Sequence, residues 1–175
     1  MSESEAPGEL EQVRTFLNTW WLPNETRVPE DRLPALAADA GAWRREMPGI
    51  PAEAGLEGFR TALREALGDP VALQEWAERH PLRVEFTEGG VVLRPERDGA
   101  VGRILAIVAD AVGAGRWARL KACPDCGWVF YDHSRNGSRR WCVMNPGGSE
   151  ARGCGSIAKV RAYRQRIRQA PDSTP

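Results

Sequence analysis

No run of 18 apolar residues occurs anywhere in the 175-residue chain. The best candidate, Ile104–Ala109, is far too short to span a bilayer. The opening residues, Met1-Ser2-Glu3-Ser4-Glu5, lack both the positive charge and the apolar stretch of a secretory signal. No membrane partner is therefore expected, and the cytoplasm is the expected location. The first 122 residues lack cysteine altogether. Histidine is nearly as scarce, with two in the chain; His80, the only one in the N-terminal part, precedes Pro81 and reads as a helix end. The carboxylates are scattered in the manner of solvated helix faces, and no nucleophile–base pair is found. No enzymatic activity is expected. Internal repeats and low-complexity tracts are also missing.

What the chain does have is segregation. The formal net charge is zero, yet residues 1–118 carry 13 Lys+Arg against 20 Asp+Glu, a net of −7. Residues 119–168 carry 11 Lys+Arg against three acids (Asp125, Asp132 and Glu150), a net of +8. A polyanion meets local charge rather than the sum, so the second segment is the informative one. All four cysteines lie in the same segment, between positions 123 and 154. In a reducing compartment such a cluster points to metal ligands rather than disulfides.

The patterning predicts an α+β chain. Residues 1–8 read as a flexible tail, 9–118 as a mostly helical domain with one small β-hairpin, 119–169 as a finger, and 170–175 as a disordered tail. Leu10, Val13 and Leu17 predict a helix over Glu9–Thr19. Asp31 is placed to cap a second helix through Leu33, Leu36, Ala40 and Trp43, ending before Pro48. Leu56, Phe59, Leu63 and Leu67 mark a third helix. Asp69-Pro70 is the start signal of a fourth. Val84 and Phe86 alternate with charged neighbours, Gly89-Gly90 offers a turn, and Val91-Val92-Leu93 returns, the pattern of a hairpin. Val101, Ile104, Leu105, Val108 and Val112 predict a strongly apolar helix stopping near Gly113 and Gly115. Trp20, Trp21, Trp43 and Trp76 are expected in the core, with a small-molecule ligand pocket as the other reading.

The sharpest signal is Cys123-Pro124-Asp125-Cys126-Gly127. Two thiolates separated by two residues can turn toward one ion, with Gly127 supplying the positive φ of a knuckle. Fifteen residues separate Cys126 from Cys142, and eleven more lie before Cys154. The second interval is long for a four-thiolate site, but extending that loop costs only on the order of 1 kcal/mol. Structural zinc contributes roughly 10–16 kcal/mol in small fingers. Cys123, Cys126, Cys142 and Cys154 are thus the expected ligands of a structural metal ion, and zinc is favoured because nothing points to electron transfer. His133 is an alternative to Cys154, though a place in a loop or against a phosphate suits it better. A redox CxxC pair lacks its βαβ context here, and a catalytic site would keep an open position. Around the ligands, Trp128–Phe130 is expected to form a strand that turns at Asn136-Gly137 and returns over Arg139–Cys142. Ser156 is expected to cap a final helix with the apolar stripe Ile157, Val160, Tyr163 and Ile167. Knuckle, hairpin and helix together outline a treble-clef-like finger.

The basic residues of this finger suit a nucleic acid. Lys159, Arg161, Arg164, Arg166 and Arg168 flank the helical stripe, and Arg135, Arg139 and Arg140 lie near Ser134, Asn136 and Ser138. Arginine among small polar side chains matches phosphate oxygens. The competing reading is a zinc-stapled adaptor whose basic face meets an acidic protein, or this chain's own acidic part.

The run Trp128-Val129-Phe130-Tyr131-Asp132-His133-Ser134-Arg135-Asn136-Gly137-Ser138-Arg139-Arg140-Trp141-Cys142 closely resembles the CGNR zinc-finger family, as do Cys154-Gly155 and Ala158-Lys159-Val160-Arg161-Ala162-Tyr163-Arg164. Phe16-Leu17-Asn18-Thr19 and the helical layout resemble the ABATE domain that usually precedes that finger. The resemblance implies a bacterial, stress-linked transcription regulator with zinc on the four cysteines and DNA as ligand. It also leaves room for a small molecule sensed by the N-terminal domain, or for homo-oligomers. Three departures stand out. The first cysteine pair is closer together than usual, the 143–153 loop is longer, and Ser156 and Ile157 replace the Asn and Arg of the naming signature. Any contact made by that Arg is not carried over.

Overall fold

A helix that buries one stripe must find a partner face, and three helices do so here. The computed structural model describes residues 5–142 and 153–169. Helix α1 (Leu10–Leu17) buries Leu10, Val13, Phe16 and Leu17. It packs against α4 (Glu57–Glu65), which contributes Phe59 and Leu63, and against α6 (Ala100–Gly113). Helix α6 is apolar almost all round and nine of its residues are buried, so it becomes the centre of the core.

The single helix expected through Leu33–Trp43 is instead two, α2 (Leu33–Ala38) and α3 (Ala40–Glu46). Asp39 breaks it. Its backbone is extended (φ −110°, ψ 92°) and its carboxylate accepts bonds from the Gly41 and Ala42 amides, each at 2.9 Å. A mid-helix Asp offers its neighbours a cap in place of the continuing ladder, and here the cap wins. Asp31 does accept a bond from the Leu33 amide at 3.0 Å. At Asp69-Pro70 the chain enters a 3₁₀ turn (Pro70–Leu73) that runs into α5 (Gln74–Arg79), with His80 closing the helix.

Among the described residues the strands form three two-stranded antiparallel pairs. The expected hairpin is β3 (Leu82–Thr87) with β4 (Gly90–Pro95). A pair too short to leave any alternation in the sequence, β1 (Trp20–Trp21) with β2 (Glu30–Asp31), precedes it in the chain, with α2 to α5 between. The third joins β5 (Leu120–Ala122) to β6 (Val129–Tyr131). Helix α7 (Cys154–Gln169) ends the described chain.

Two expectations change. Of the eight-residue tail, Ala6 is buried and its amide donates to Glu11 Oε2 at 2.7 Å, so the described end is docked. The tail expected over 170–175 lies outside the described residues. The boundary expected at 118/119 does not separate two cores, because Leu120, Val129 and Tyr131 belong to the same buried cluster as Val13, Phe16, Leu17 and Ile104.

Asn18 is the polar stitch across that cluster. It is 3% exposed, donates through Nδ2 to the Val129 carbonyl at 2.8 Å, and accepts from the Val129 amide at 2.7 Å. Asn18→Ala leaves the buried Val129 amide without a partner, at about 1–3 kcal/mol before relaxation, and leaves its carbonyl with only the long bond from Arg14 Nη1 at 3.4 Å. The expected loss of stability is about 2–4 kcal/mol in a denaturant titration of the full chain; a loss below about 0.5 kcal/mol would show the stitch to be dispensable.

Candidate metal centre and basic surface

Strands β5 and β6 are held close by the turn between them. Leu120 pairs with Tyr131 and Ala122 with Val129. The Cys123 amide donates to the Trp128 carbonyl at 2.9 Å, and the Gly127 amide to the Cys123 carbonyl at 2.8 Å. Gly127 has φ +72°, and a Cβ there would lie 2.7 Å from the Trp20 ring. Conformation and space both demand glycine at this position.

The hairpin around the cysteines is therefore β5–β6, not the expected return of Trp128–Phe130 through Asn136-Gly137 onto Arg139–Cys142. A buried carboxylate explains the difference. Asp132 is 0% exposed; it accepts from the Ser134 amide at 2.9 Å, the Arg139 amide at 2.9 Å and the Lys121 ammonium at 2.7 Å. Residues 132–139 wrap around this side chain: the Ser134 and Arg139 amides bond Asp132 and those of Gly137 and Ser138 bond Ser134, so these four are not available to a ladder. Burial alone would raise the Asp132 pKa, but the bonds from Lys121, Ser134 and Arg139 outweigh it and hold the carboxyl well below the usual range.

The four sulfurs converge. The Sγ atoms of Cys123, Cys126, Cys142 and Cys154 all lie within 4.8 Å of one another and all four residues are buried. Cys126 and Cys142 are 3.6 Å apart, as are Cys142 and Cys154. Ligand bonds of about 2.3 Å in a tetrahedron place sulfurs about 3.8 Å apart, whereas a disulfide needs about 2.05 Å. All four cysteines are free. The set is positioned to bind a metal ion, and its all-thiolate chemistry fits zinc.

Cys154 occupies the first position of α7, where Gly153 rather than Ser156 provides the leading carbonyl: it accepts from the Ser156 amide at 2.9 Å and the Ile157 amide at 3.1 Å. The helix thus begins at the ligand, and its positive end favours a thiolate there. His133 is outside the cluster; its Nε2 lies 2.7 Å from the Glu5 carbonyl oxygen.

Without a cation the thiols work against one another. Hydrogen bonds from Cys126 and Cys142 hold the Cys123 thiol far below its ordinary pKa. The bond to Cys123 in turn pushes Cys126 up to about 12, and Cys142 well above its ordinary value. Such a cluster ionises fully only when a metal displaces its protons.

The expected phosphate-contacting residues divide into two groups. Arg135, Arg140, Lys159 and Arg164 are exposed. Arg161 pairs with Asp125. Arg139 is turned inward, donating to the Trp141 carbonyl at 2.9 Å and to the Cys142 carbonyl, with its guanidinium 5.0 Å from the centre of the Phe130 ring. Arg139 braces the segment bearing Cys142. The expected apolar stripe of α7 is not a packing face, since Val160, Tyr163 and Ile167 are 38%, 60% and 56% exposed. Beyond its first turn the helix leaves the body of the chain, and residues 159–168 are all exposed.

The tryptophans do not form one pocket. Trp43 is core, donating to the Ile50 carbonyl at 2.7 Å, and Trp76 packs on Phe59. Trp20 and Trp21 instead face the knuckle: Trp20 lies against Gly127, and Trp21 meets Trp128 edge-on with ring centres 6.1 Å apart. Asn24 and Arg64 also reach the knuckle region, and nothing in the sequence marks them for it. They stand 130 and 63 residues before their partners, Cys154 and Gly127, and neither lies in a motif.

For Cys126→Ser the expected outcome is loss of the bound metal and melting of the segment around it, read by metal analysis and circular dichroism; a metal-loaded, normally folded variant would remove Cys126 from the ligand set. In the unsubstituted chain, titrating metal into the apo form in weak buffer should release protons, and apparent affinity should fall as pH is lowered, because protons compete for sulfur. A pH-independent affinity would contradict thiolate ligation. No curated protein matches the chain. Residues 119–167, which hold all four sulfurs and most of α7, match the CGNR zinc finger family.

Proposed function

We propose that the chain is a zinc-dependent DNA-binding protein, a transcription regulator that acts in the cytoplasm. The observation that carries this reading is the exposed, basic run of α7 leaving a metal-fixed start, within a segment that matches a zinc finger family. Arg135, Arg140, Lys159 and Arg164, joined by Arg166 and Arg168, are the exposed cations available to phosphate oxygens. Zinc is the proposed ion. In this reading the acidic N-terminal part has an ABATE-like role, sensing a small molecule or mediating self-association, and has no catalytic task.

One feature favours the adaptor reading. Tyr163 and Ile167 are exposed among the arginines and would suit an acidic amphipathic partner. Charge decides between the two. A protein that neutralises phosphates releases counterions, and its affinity falls steeply with salt, by a slope of about −0.9 per contact on duplex DNA.

Titration of the full chain against mixed-sequence duplex DNA at several salt concentrations is the test. Arg140→Ala and Arg164→Ala are each expected to weaken binding several-fold and to flatten the salt slope by about 0.9, with zinc content unchanged. Equal affinity and slope in both variants would count against this surface, and failure of the zinc-loaded chain to bind DNA at low salt would favour the adaptor.

A further inference from the structure

The metal centre does not end with the finger. We propose that Asn24 and Arg64, both in the N-terminal part, are positioning residues of the metal centre: Asn24 through an amide bond to the Cys154 sulfur, Arg64 as the counter-cation of the metal–thiolate cluster. The inference rests on a metal occupying the four sulfurs but not on DNA being the ligand.

Asn24 donates through Nδ2 to Cys154 Sγ at 3.2 Å. On its other side Asn24 Oδ1 faces the Arg27 guanidinium at 3.5 Å, a cation that suits the oxygen and agrees with Nδ2 lying toward the sulfur. The loop that carries it is itself tied to the knuckle. The Leu22 amide donates to the Cys126 carbonyl at 2.8 Å, and Arg27 donates to the Asp125 carbonyl at 3.1 Å. Arg27 also has a positive φ of 55°, uncommon outside glycine, so the loop adopts a specific conformation rather than a generic turn. A bond from N–H to a thiolate draws charge off the sulfur and fixes its direction, the task outer partners perform at metal centres generally.

Arg64 answers a charge problem. A divalent ion on four thiolates carries a formal excess of two negative charges. Arg27 and Arg161 share the single negative charge of Asp125, so one positive charge is left between them at the exposed edge of the knuckle, and Arg60 is paired with Asp31 at 2.6 Å. Arg64 is half-buried, donates to the Leu17 carbonyl at 2.8 Å and the Gly127 carbonyl at 2.5 Å, and lies 4.8 Å from the centre of the Trp20 ring. Among the described residues it has no carboxylate partner. Burial, and then repulsion from Arg60, bring its pKa down to about 10, while attraction to Cys126 acts in the opposite direction. A desolvated cation without an anion is costly. The bond to Gly127, the residue after Cys126, places this one beside the thiolate cluster.

The experiment uses the full-length, metal-loaded chain with Asn24→Ala, Asn24→Asp, Arg64→Gln and Arg64→Lys. Three quantities are read: the rate of zinc release to a chromophoric chelator, the sulfur-to-metal charge-transfer bands after cobalt substitution, and thermal unfolding. Loss of an outer-shell partner typically costs about 10–100-fold in metal affinity. Asn24→Ala is expected to release zinc about ten-fold faster and to shift the cobalt bands, with the unfolding midpoint of the N-terminal core kept. Asn24→Asp, which cannot donate and adds negative charge beside the sulfur, should release faster still. Arg64→Gln should also hasten release, and Arg64→Lys should restore much of the loss. Because Asn24 lies at the surface of the core, its variants remain readable if Arg64→Gln fails to fold. Unchanged release and unchanged cobalt bands in both Asn24 variants would overturn the proposal, as would Arg64→Lys behaving no better than Arg64→Gln.

Discussion

Four thiols held within 4.8 Å of one another cannot all ionise in each other's company unless a cation neutralises them. The rest of the C-terminal segment depends on this. Cys123 and Cys126 come from the β5–β6 turn, Cys142 from the end of the segment wrapped on Asp132, and Cys154 from the start of α7. These stretches have little apolar surface in common: the cluster around the cysteines adds only Phe130, with Trp128 and Trp141 packed against it. A unit that small does not bury enough area to hold its own shape, so the ion stands in for a core. Helix α7 is the clearest case. It starts at Cys154 and is exposed from Lys159 to Arg168.

The N-terminal part is more than a neighbour. Its buried cluster runs on through Leu120, Val129 and Tyr131 into the strands that carry the knuckle, and Asn18 stitches β6 in place with two hydrogen bonds. Backbone carbonyls at Asp125, Cys126 and Gly127 are each bonded by a residue from the first 64 positions. The helical core thus supports the β5–β6 hairpin, whose turn carries Cys123 and Cys126.

What could be read from the sequence was local. The apolar stripe of α1, the all-round apolar run of α6, the hairpin of Val84 and Phe86 with Val91–Leu93, and the four cysteines each announce themselves within a few residues. What could not be read depended on distant partners. Strand β5 is three residues long, so the sequence favoured a hairpin through Asn136-Gly137 on the far side. Asp132 gave no sign that it would gather Lys121, Ser134 and Arg139 about itself, or that Arg139 would be drawn inward as a consequence. Asp39 did carry its capping chemistry in plain view, but the periodicity running through it was the stronger signal. The stripe of Val160, Tyr163 and Ile167 is legible as helical, but periodicity fixes a face and says nothing of what covers it.

The central claim is that one metal ion is shared by Cys123, Cys126, Cys142 and Cys154. Elemental analysis of the purified full-length chain under reducing conditions, joined to mass spectrometry of its thiols, tests it most directly. The expected result is one zinc per chain, removable by chelator, with all four cysteines free once the metal is gone. A well-folded chain with no bound metal, or with these cysteines paired as disulfides, would contradict it.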